Sequence, residues 1–140
     1  LKRCLNGRNF DGVIHLAAKS LVGESKINPY TYYENNIVGS LNLVDEMLQN
    51  DNHCIVFSST AAIFGNPATD IIREDHPKNP INPYGRTKLV VENFLNDLSI
   101  SQKLSAVCLR YFNAAGADPD GELREAHDPE THLIPTILNS

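Results

Sequence analysis

The chain has 140 residues, a formal net charge of −5 and 41% apolar residues, which fits one domain, or part of one, with a real core. Charges of both signs are interspersed without a basic block, so nucleic acid is excluded as the expected partner. No apolar run approaches membrane-spanning length and no signal peptide is visible, so a membrane is not an expected partner either. In chain order, Leu1 to Asn6 reads as the end of a helix. Phe10 to Ala18 is a continuous apolar stretch followed by small residues, the pattern of a buried parallel strand whose end lets something approach the backbone closely. Tyr33 to Gln49 carries Ile37, Leu41, Val44 and Leu48 as a core-facing helical stripe, with Pro29 near the helix start. His53 to Ser59 predicts a second buried strand, ending in Ser58, Ser59 and Thr60. Asn66 to Pro83 is rich in Pro, Asn and Asp and reads as a surface loop. Pro83 to Leu98 predicts a helix with Leu89, Val90, Phe94 and Leu98 apolar. Ser105 to Phe112 is a third strand, Ala117 to Thr131 is polar and turn-rich, and Leu133, Ile134, Ile137 and Leu138 begin another helix.

Cys4, Cys54 and Cys108 are widely spaced and form no Cys-x-x-Cys pair. They read as buried free thiols of a reducing, cytoplasmic compartment, and neither a disulfide framework nor a metal site is expected.

Strands alternating with crossover-length helices predict an α/β fold with a parallel sheet, and ligands of such sheets lie beyond the carboxyl ends of the strands. Three clusters fall at those ends: Ala17 and Ala18, Ser58 to Thr60, and Phe112 to Gly116. Asn82-Pro-Tyr-Gly-Arg-Thr-Lys88 adds a fourth, because Pro83 suits a helix start and places Tyr84 and Lys88 on one face. A phenol is a poor base at neutral pH, its ordinary pKa being ~10. A nearby ammonium favours the phenolate, so the pair predicts a general base for a sugar or alcohol hydroxyl beside a hydride-accepting cofactor.

Phe57-Ser-Ser-Thr60 with Ala-Ala-Ile-Phe-Gly65, the Asn82 to Lys88 helix start, and Arg110-Tyr-Phe-Asn113-Ala-Ala-Gly-Ala117 resemble the extended short-chain dehydrogenases/reductases. The closest likeness is to the branch that epimerises UDP-sugars at carbon 4, supported by Leu21 to Ser25, Tyr32 to Asn36 and Asp128 to Pro135. The resemblance implies interconversion of UDP-glucose and UDP-galactose by transient oxidation at carbon 4 with bound NAD. It implies Tyr84 as general base, Lys88 as partner of the nicotinamide ribose and of Tyr84, and Thr60 as the hydroxyl bridging sugar and tyrosine. Cofactor contacts carry over to Leu16, Ala17, Ala18, Asn35, Ser58, Tyr84, Lys88 and Phe112. Substrate contacts carry over to Thr60, Tyr84, Asn113, His132 and Leu133, with many family members having Asn at the position of His132. Ser20 departs from a lysine found in some members. Asn35, Phe112 and Asn113 also have ordinary roles open to them, as helix cap, core residue and turn former. A UDP-sugar is the implied partner, and the full-length protein is implied to be a homodimer.

The family's Gly-rich phosphate loop, which seats pyrophosphate on a helix N-terminus, has no counterpart in this sequence. The expectation is therefore a Rossmann-like doubly wound sheet that is incomplete. Residues 1–140 would be the central part of an NAD-dependent epimerase/dehydratase domain, residues 114–140 the beginning of the nucleotide-sugar-binding region, and the piece alone inactive. UDP-glucuronate or UDP-N-acetylhexosamine epimerisation is an alternative, since pocket size separates those substrates. A nucleotide-sugar 4,6-dehydratase is a further one, but that chemistry typically places an Asp-Glu pair just after the Ser/Thr strand end, where Ala61 and Ala62 stand here. A non-catalytic NAD- or nucleotide-sugar-binding domain is the alternative from a different class.

Overall fold

The structure is a computed structural model that describes every residue except Leu1, Asn9, Glu125, Pro129, Thr131 and Asn139, with Lys2 and Arg3 described as backbone only. The expectations for Leu1, Pro129 and Thr131 therefore lie outside the described residues. Among those described, the elements are α1 (Lys2–Leu5), β1 (Val13–His15), α2 (Val22–Ile27), α3 (Pro29–Tyr32), a π-helical turn (Tyr33–Val38) and α4 (Gly39–Gln49). They continue with β2 (Cys54–Ser58), a 3₁₀ turn (Ala61–Phe64), α5 (Pro83–Ile100), β3 (Ser105–Leu109) and α6 (Leu133–Leu138).

The strands form a parallel sheet in the order β1-β2-β3, with Val13 beside Ile55 and Ile55 beside Ala106. The same register aligns His15, Phe57 and Cys108. Side chains alternate across a strand, so these two rows share one face and the Ile14, Val56, Val107 row takes the other. The helices pack on the first face only. Its Ile55 and Phe57 join Leu5, Val44, Met47, Val91, Leu95 and Leu104 in the core, with Val13, Ala106 and Cys108 against it. Burial of Val91 or Leu95 stabilises by about 1.5–3 kcal/mol each. The opposite face is open: Ile14 is 69% exposed and Val107 54%. The expected two-sided burial of the strands is therefore corrected to burial on one side. An unbroken apolar run signals a strand without telling which faces are covered. Cys4 and Cys54 are exposed and Cys108 is half-buried, so the expectation of three buried thiols is also corrected.

The expected helical stripe shifts for a local reason. Backbone angles at Tyr33 and Gly39 stay helical, so α3, the π turn and α4 run on as one rod from Pro29. The wider turn advances the phase, and the buried side chains become Tyr32, Asn36, Ser40, Val44 and Met47. Of the expected set, Ile37 and Leu48 pack at the core margin and Leu41 is exposed. On α5 the buried apolar residues are Val91 and Leu95, with Leu89, Phe94 and Leu98 half-buried and Val90 exposed.

Candidate functional site

α5 begins where the sequence predicts it. Asn82 is extended, its Oδ1 accepts the Gly85 N–H at 2.8 Å, and Pro83 occupies the first turn, where an N–H would lack a partner anyway. This sets Tyr84 in the first turn of α5 and Lys88 one turn on. The Lys88 side chain passes along the Phe57 ring, its Nζ 4.8 Å from the centroid, and donates to the Ser58 carbonyl at 2.7 Å. Its Nζ is 5.9 Å from the centre of the Tyr84 ring. Thr60 is buried and caps the 3₁₀ turn, its Oγ1 accepting the Ala62 N–H at 3.2 Å. Ser58, Thr60, Tyr84 and Lys88 thus meet at the carboxyl end of β2.

Two glycines make the approach possible. A Cβ on Gly85 would lie 2.6 Å from the Ala62 carbonyl oxygen, and one on Gly65, where φ is +64°, would lie 2.0 Å from the Asn79 carbonyl oxygen. The first contact brings the start of α5 against the turn that carries Thr60. The second folds the 66–82 loop back onto that turn.

The titration behaviour differs from expectation. Burial raises the Tyr84 phenol above its ordinary pKa, and a hydrogen bond with Thr60 offsets only part of this. Burial also lowers Lys88 to about 8. In this ligand-free arrangement desolvation outweighs the expected pull of the ammonium on the phenol, because Lys88 points its charge at Ser58.

Around this centre lies polar structure that the sequence did not reveal. Glu92, one turn beyond Lys88, is buried and accepts from Ser59 Oγ at 2.5 Å and from Arg110 Nε and Nη2 at 3.0 Å each. Lys78 adds its charge at 3.5 Å, and Arg110 Nη1 reaches Glu74 Oε2 at 3.1 Å. Burial pushes the Glu92 carboxyl up, but the hydrogen bonds from Arg110 and Ser59 with the nearby cations outweigh it, and the net shift is downward. A second network surrounds Asn36. Its Nδ2 donates to the Lys19 carbonyl and to Thr87 Oγ1, its Oδ1 accepts the Lys19 N–H, and Thr87 donates to the Tyr84 carbonyl. Ser40 donates to the Asn36 carbonyl, so His15 Nε2 carries the proton in its 2.8 Å contact with Ser40; burial and Lys88 both lower this imidazole. Glu92 had a signal in the sequence, as the next member of the four-residue series through Tyr84 and Lys88.

The other expected site residues are spread over the same edge. Leu16 and Ala17 are exposed just past β1, and Ala18 is half-buried. Asn35 is exposed on the π turn and donates to Asn36 Oδ1; the helix-cap role it could have had belongs to no residue of that turn. Phe112 is 67% exposed, so it is not core; it lines an open cleft with Phe64, Ile72, Arg73 and Arg110. Asn113 is exposed. His132 pairs with Glu130, and Leu133 starts α6, which places both with the 114–132 segment. The structure therefore assembles Ser58, Thr60, Tyr84 and Lys88 and leaves Phe112, Asn113, His132 and Leu133 on neighbouring surface.

The fold and this cluster define an α/β, short-chain-dehydrogenase-like catalytic edge. The family model described as GDP-mannose 4,6 dehydratase matches residues 1–139, and the chain belongs to this extended short-chain dehydrogenase/reductase family. The UDP-glucose 4-epimerase of Halalkalibacterium halodurans is 53% identical over 130 residues, 93% of this chain and 39% of that protein. A crystal structure of UDP-glucose 4-epimerase from Brucella ovis in complex with NAD is 51% identical with a TM-score of 0.86, covering 90% of this chain and 39% of that one. Another solved UDP-glucose 4-epimerase is 44% identical with a TM-score of 0.93, covering 98% of this chain and 42% of that one. The chain spans about two fifths of the length of the relatives it matches.

Proposed function

We propose that the whole protein interconverts UDP-glucose and UDP-galactose by transient oxidation and re-reduction at carbon 4. The observation that carries this reading is the convergence of Thr60, Tyr84 and Lys88 on the carboxyl end of β2. The residues there suit a nicotinamide dinucleotide. Ala17 and Ala18 keep the end of β1 low, and the Lys88 ammonium has three donors, one of which engages Ser58 while the others suit ribose hydroxyls. NAD, when bound, supplies the hydride acceptor at carbon 4.

Tyr84 takes the proton of the 4-hydroxyl and later returns it to the other face of the sugar. Thr60 holds the hydroxyl and the phenol in line, and Lys88 stabilises the phenolate as it forms. Because the phenol is raised in the ligand-free site, its activation belongs to the loaded site. Leu16, Asn35, Ser58 and Phe112 are assigned to the cofactor, and Asn113 and Leu133 to the nucleotide-sugar. The whole protein is proposed to act in the cytoplasm as a homodimer; among the described residues no helix is long and apolar enough to cross a membrane.

The name of the family model favours a second reading, a nucleotide-sugar 4,6-dehydratase. The 3₁₀ turn after Thr60 begins with Ala61 and Ala62, which cannot exchange protons for loss of a 6-hydroxyl. One assay separates the two. The purified whole protein is incubated with UDP-galactose and its products are resolved. UDP-glucose supports epimerisation, a 4-keto-6-deoxy sugar supports dehydration, and neither product with NAD retained supports a binding domain.

A further inference from the structure

His127, Glu130 and His132 form a side-chain cluster on the segment between β3 and α6, apart from the proton chemistry of Tyr84. One potential ligand atom from each lies within 4.8 Å of the others. Glu130 Oε1 is 2.9 Å from His132 Nδ1 and also accepts the His132 backbone N–H at 2.7 Å. The His127 and His132 rings meet edge-to-face with centroids 4.6 Å apart. Two imidazoles therefore converge on one carboxylate within a six-residue stretch of sequence.

We propose that His127, Glu130 and His132 bind one zinc-class divalent cation. Zinc takes imidazole nitrogen and carboxylate oxygen at about 2.0–2.2 Å, which in a tetrahedron separates the ligand atoms by about 3.4 Å. Small side-chain rotations bring this cluster to that spacing. The donor set selects the metal class: imidazole suits Zn, Cu, Ni and Fe, whereas Ca and Mg take oxygen ligands alone. Three protein ligands leave a fourth position for water. His127 also lines an open cleft of about 930 Å³ with Ala114 to Asp118, Leu123 and Arg124, so that position faces solvent. The ion would act as a staple. The His132 carbonyl accepts the Thr136 N–H that begins α6, so a metal on its ring ties the loop to the first turn of that helix. This assigns His132 a ligand role in place of the nucleotide contact that the family resemblance implies.

The test needs no substrate, so its outcome is independent of the epimerase reading. The intact protein is stripped with a chelator and titrated with Zn²⁺ alone, with calorimetry for affinity and plasma emission for stoichiometry. One zinc per chain is expected, with His127→Ala, Glu130→Gln and His132→Ala each weakening binding more than ~10-fold, the loss that even an outer-sphere partner produces. His53→Ala, at an exposed histidine outside the cluster, should bind as the parent does. Co²⁺ in place of zinc should give the intense visible bands of a four- or five-coordinate site. No zinc uptake by the parent protein, or equal loss from His53→Ala and His132→Ala, overturns the proposal, and the parent titration does so without any variant having to fold.

Discussion

Gly85 stands against Ala62 so closely that the Cβ of any other residue would lie 2.6 Å from the Ala62 carbonyl oxygen. Tyr84 reaches Thr60 because of this contact, since it lets the first turn of α5 lie on the 3₁₀ turn. Gly85→Ala should destabilise by about 1–3 kcal/mol through overpacking and displace the phenol. Thermal melting and turnover of the whole protein should both fall. Unchanged turnover would mean that α5 accommodates the methyl without moving Tyr84. Gly65→Ala should cost more, because its φ of +64° adds backbone strain to the clash with Asn79.

Tyr84→Phe in the whole protein should lower turnover at least ~10²-fold, in the usual range for general acid–base groups. Thr60→Val preserves volume and should reduce turnover more than the melting temperature. Near-normal epimerisation of UDP-galactose by Tyr84→Phe removes the phenol from its assigned role.

Lys88 makes a pH signature independent of catalysis. Burial holds it at about 8 in the fold against 10.5 for an ordinary lysine. Between those values the unfolded chain binds more protons than the native state, so stability rises with pH. Above pH 10 the raised Tyr84 phenol works in the opposite sense, since the native state then keeps the proton longer. Denaturant titrations from pH 8 to pH 10 should therefore show rising stability that Lys88→Met abolishes. A flat profile in the parent protein would place Lys88 in a wetter setting than the structure shows.

The pair Glu92–Arg110 should behave as a buried ion pair, whose breaking costs about 3–5 kcal/mol. Glu92→Gln keeps shape and removes charge, and should lower the melting temperature while leaving Arg110 its contact with Glu74. Because the Glu92 pKa is depressed, its stabilisation is present above the ordinary carboxylate value and is lost as pH falls through the native one. Acid unfolding of Glu92→Gln should accordingly be less steep than that of the parent.

Residues 1–140 expressed alone should aggregate and show neither epimerisation nor tight NAD binding. The motive is the open sheet face, with Ile14 and Val107 in the same row. A monodisperse fragment retaining stoichiometric NAD would contradict this.

Much of the catalytic edge was legible because its signals are local. Asn82 and Pro83 announce a helix start, Tyr84 and Lys88 share a face by spacing, and the small and hydroxylic residues after each apolar run mark strand ends. Asn36, Ser40 and His15 were not legible, because polar residues on a buried face look like surface residues until their partners are known. The link from Glu92 to Arg110 joins different elements, and nothing near either residue points to the other. His127, Glu130 and His132 were visible as a spacing, yet the expectation of no metal came from the cysteines, and only the fold brings these three side chains together.

The π turn between Tyr33 and Val38 also governs how this chain may be compared with others. It acts as one residue more than an α-helix needs over that stretch, and each residue turns a helix by about 100°. A relative with a single-residue gap there would align well on both sides and still rotate α3 against α4, so Tyr32 and Ser40 could not both point inward. A gap placed in that window by an alignment is thus a statement about which side chain stands behind the tyrosine helix, and an insertion or deletion made there by design would change the site while touching none of its residues.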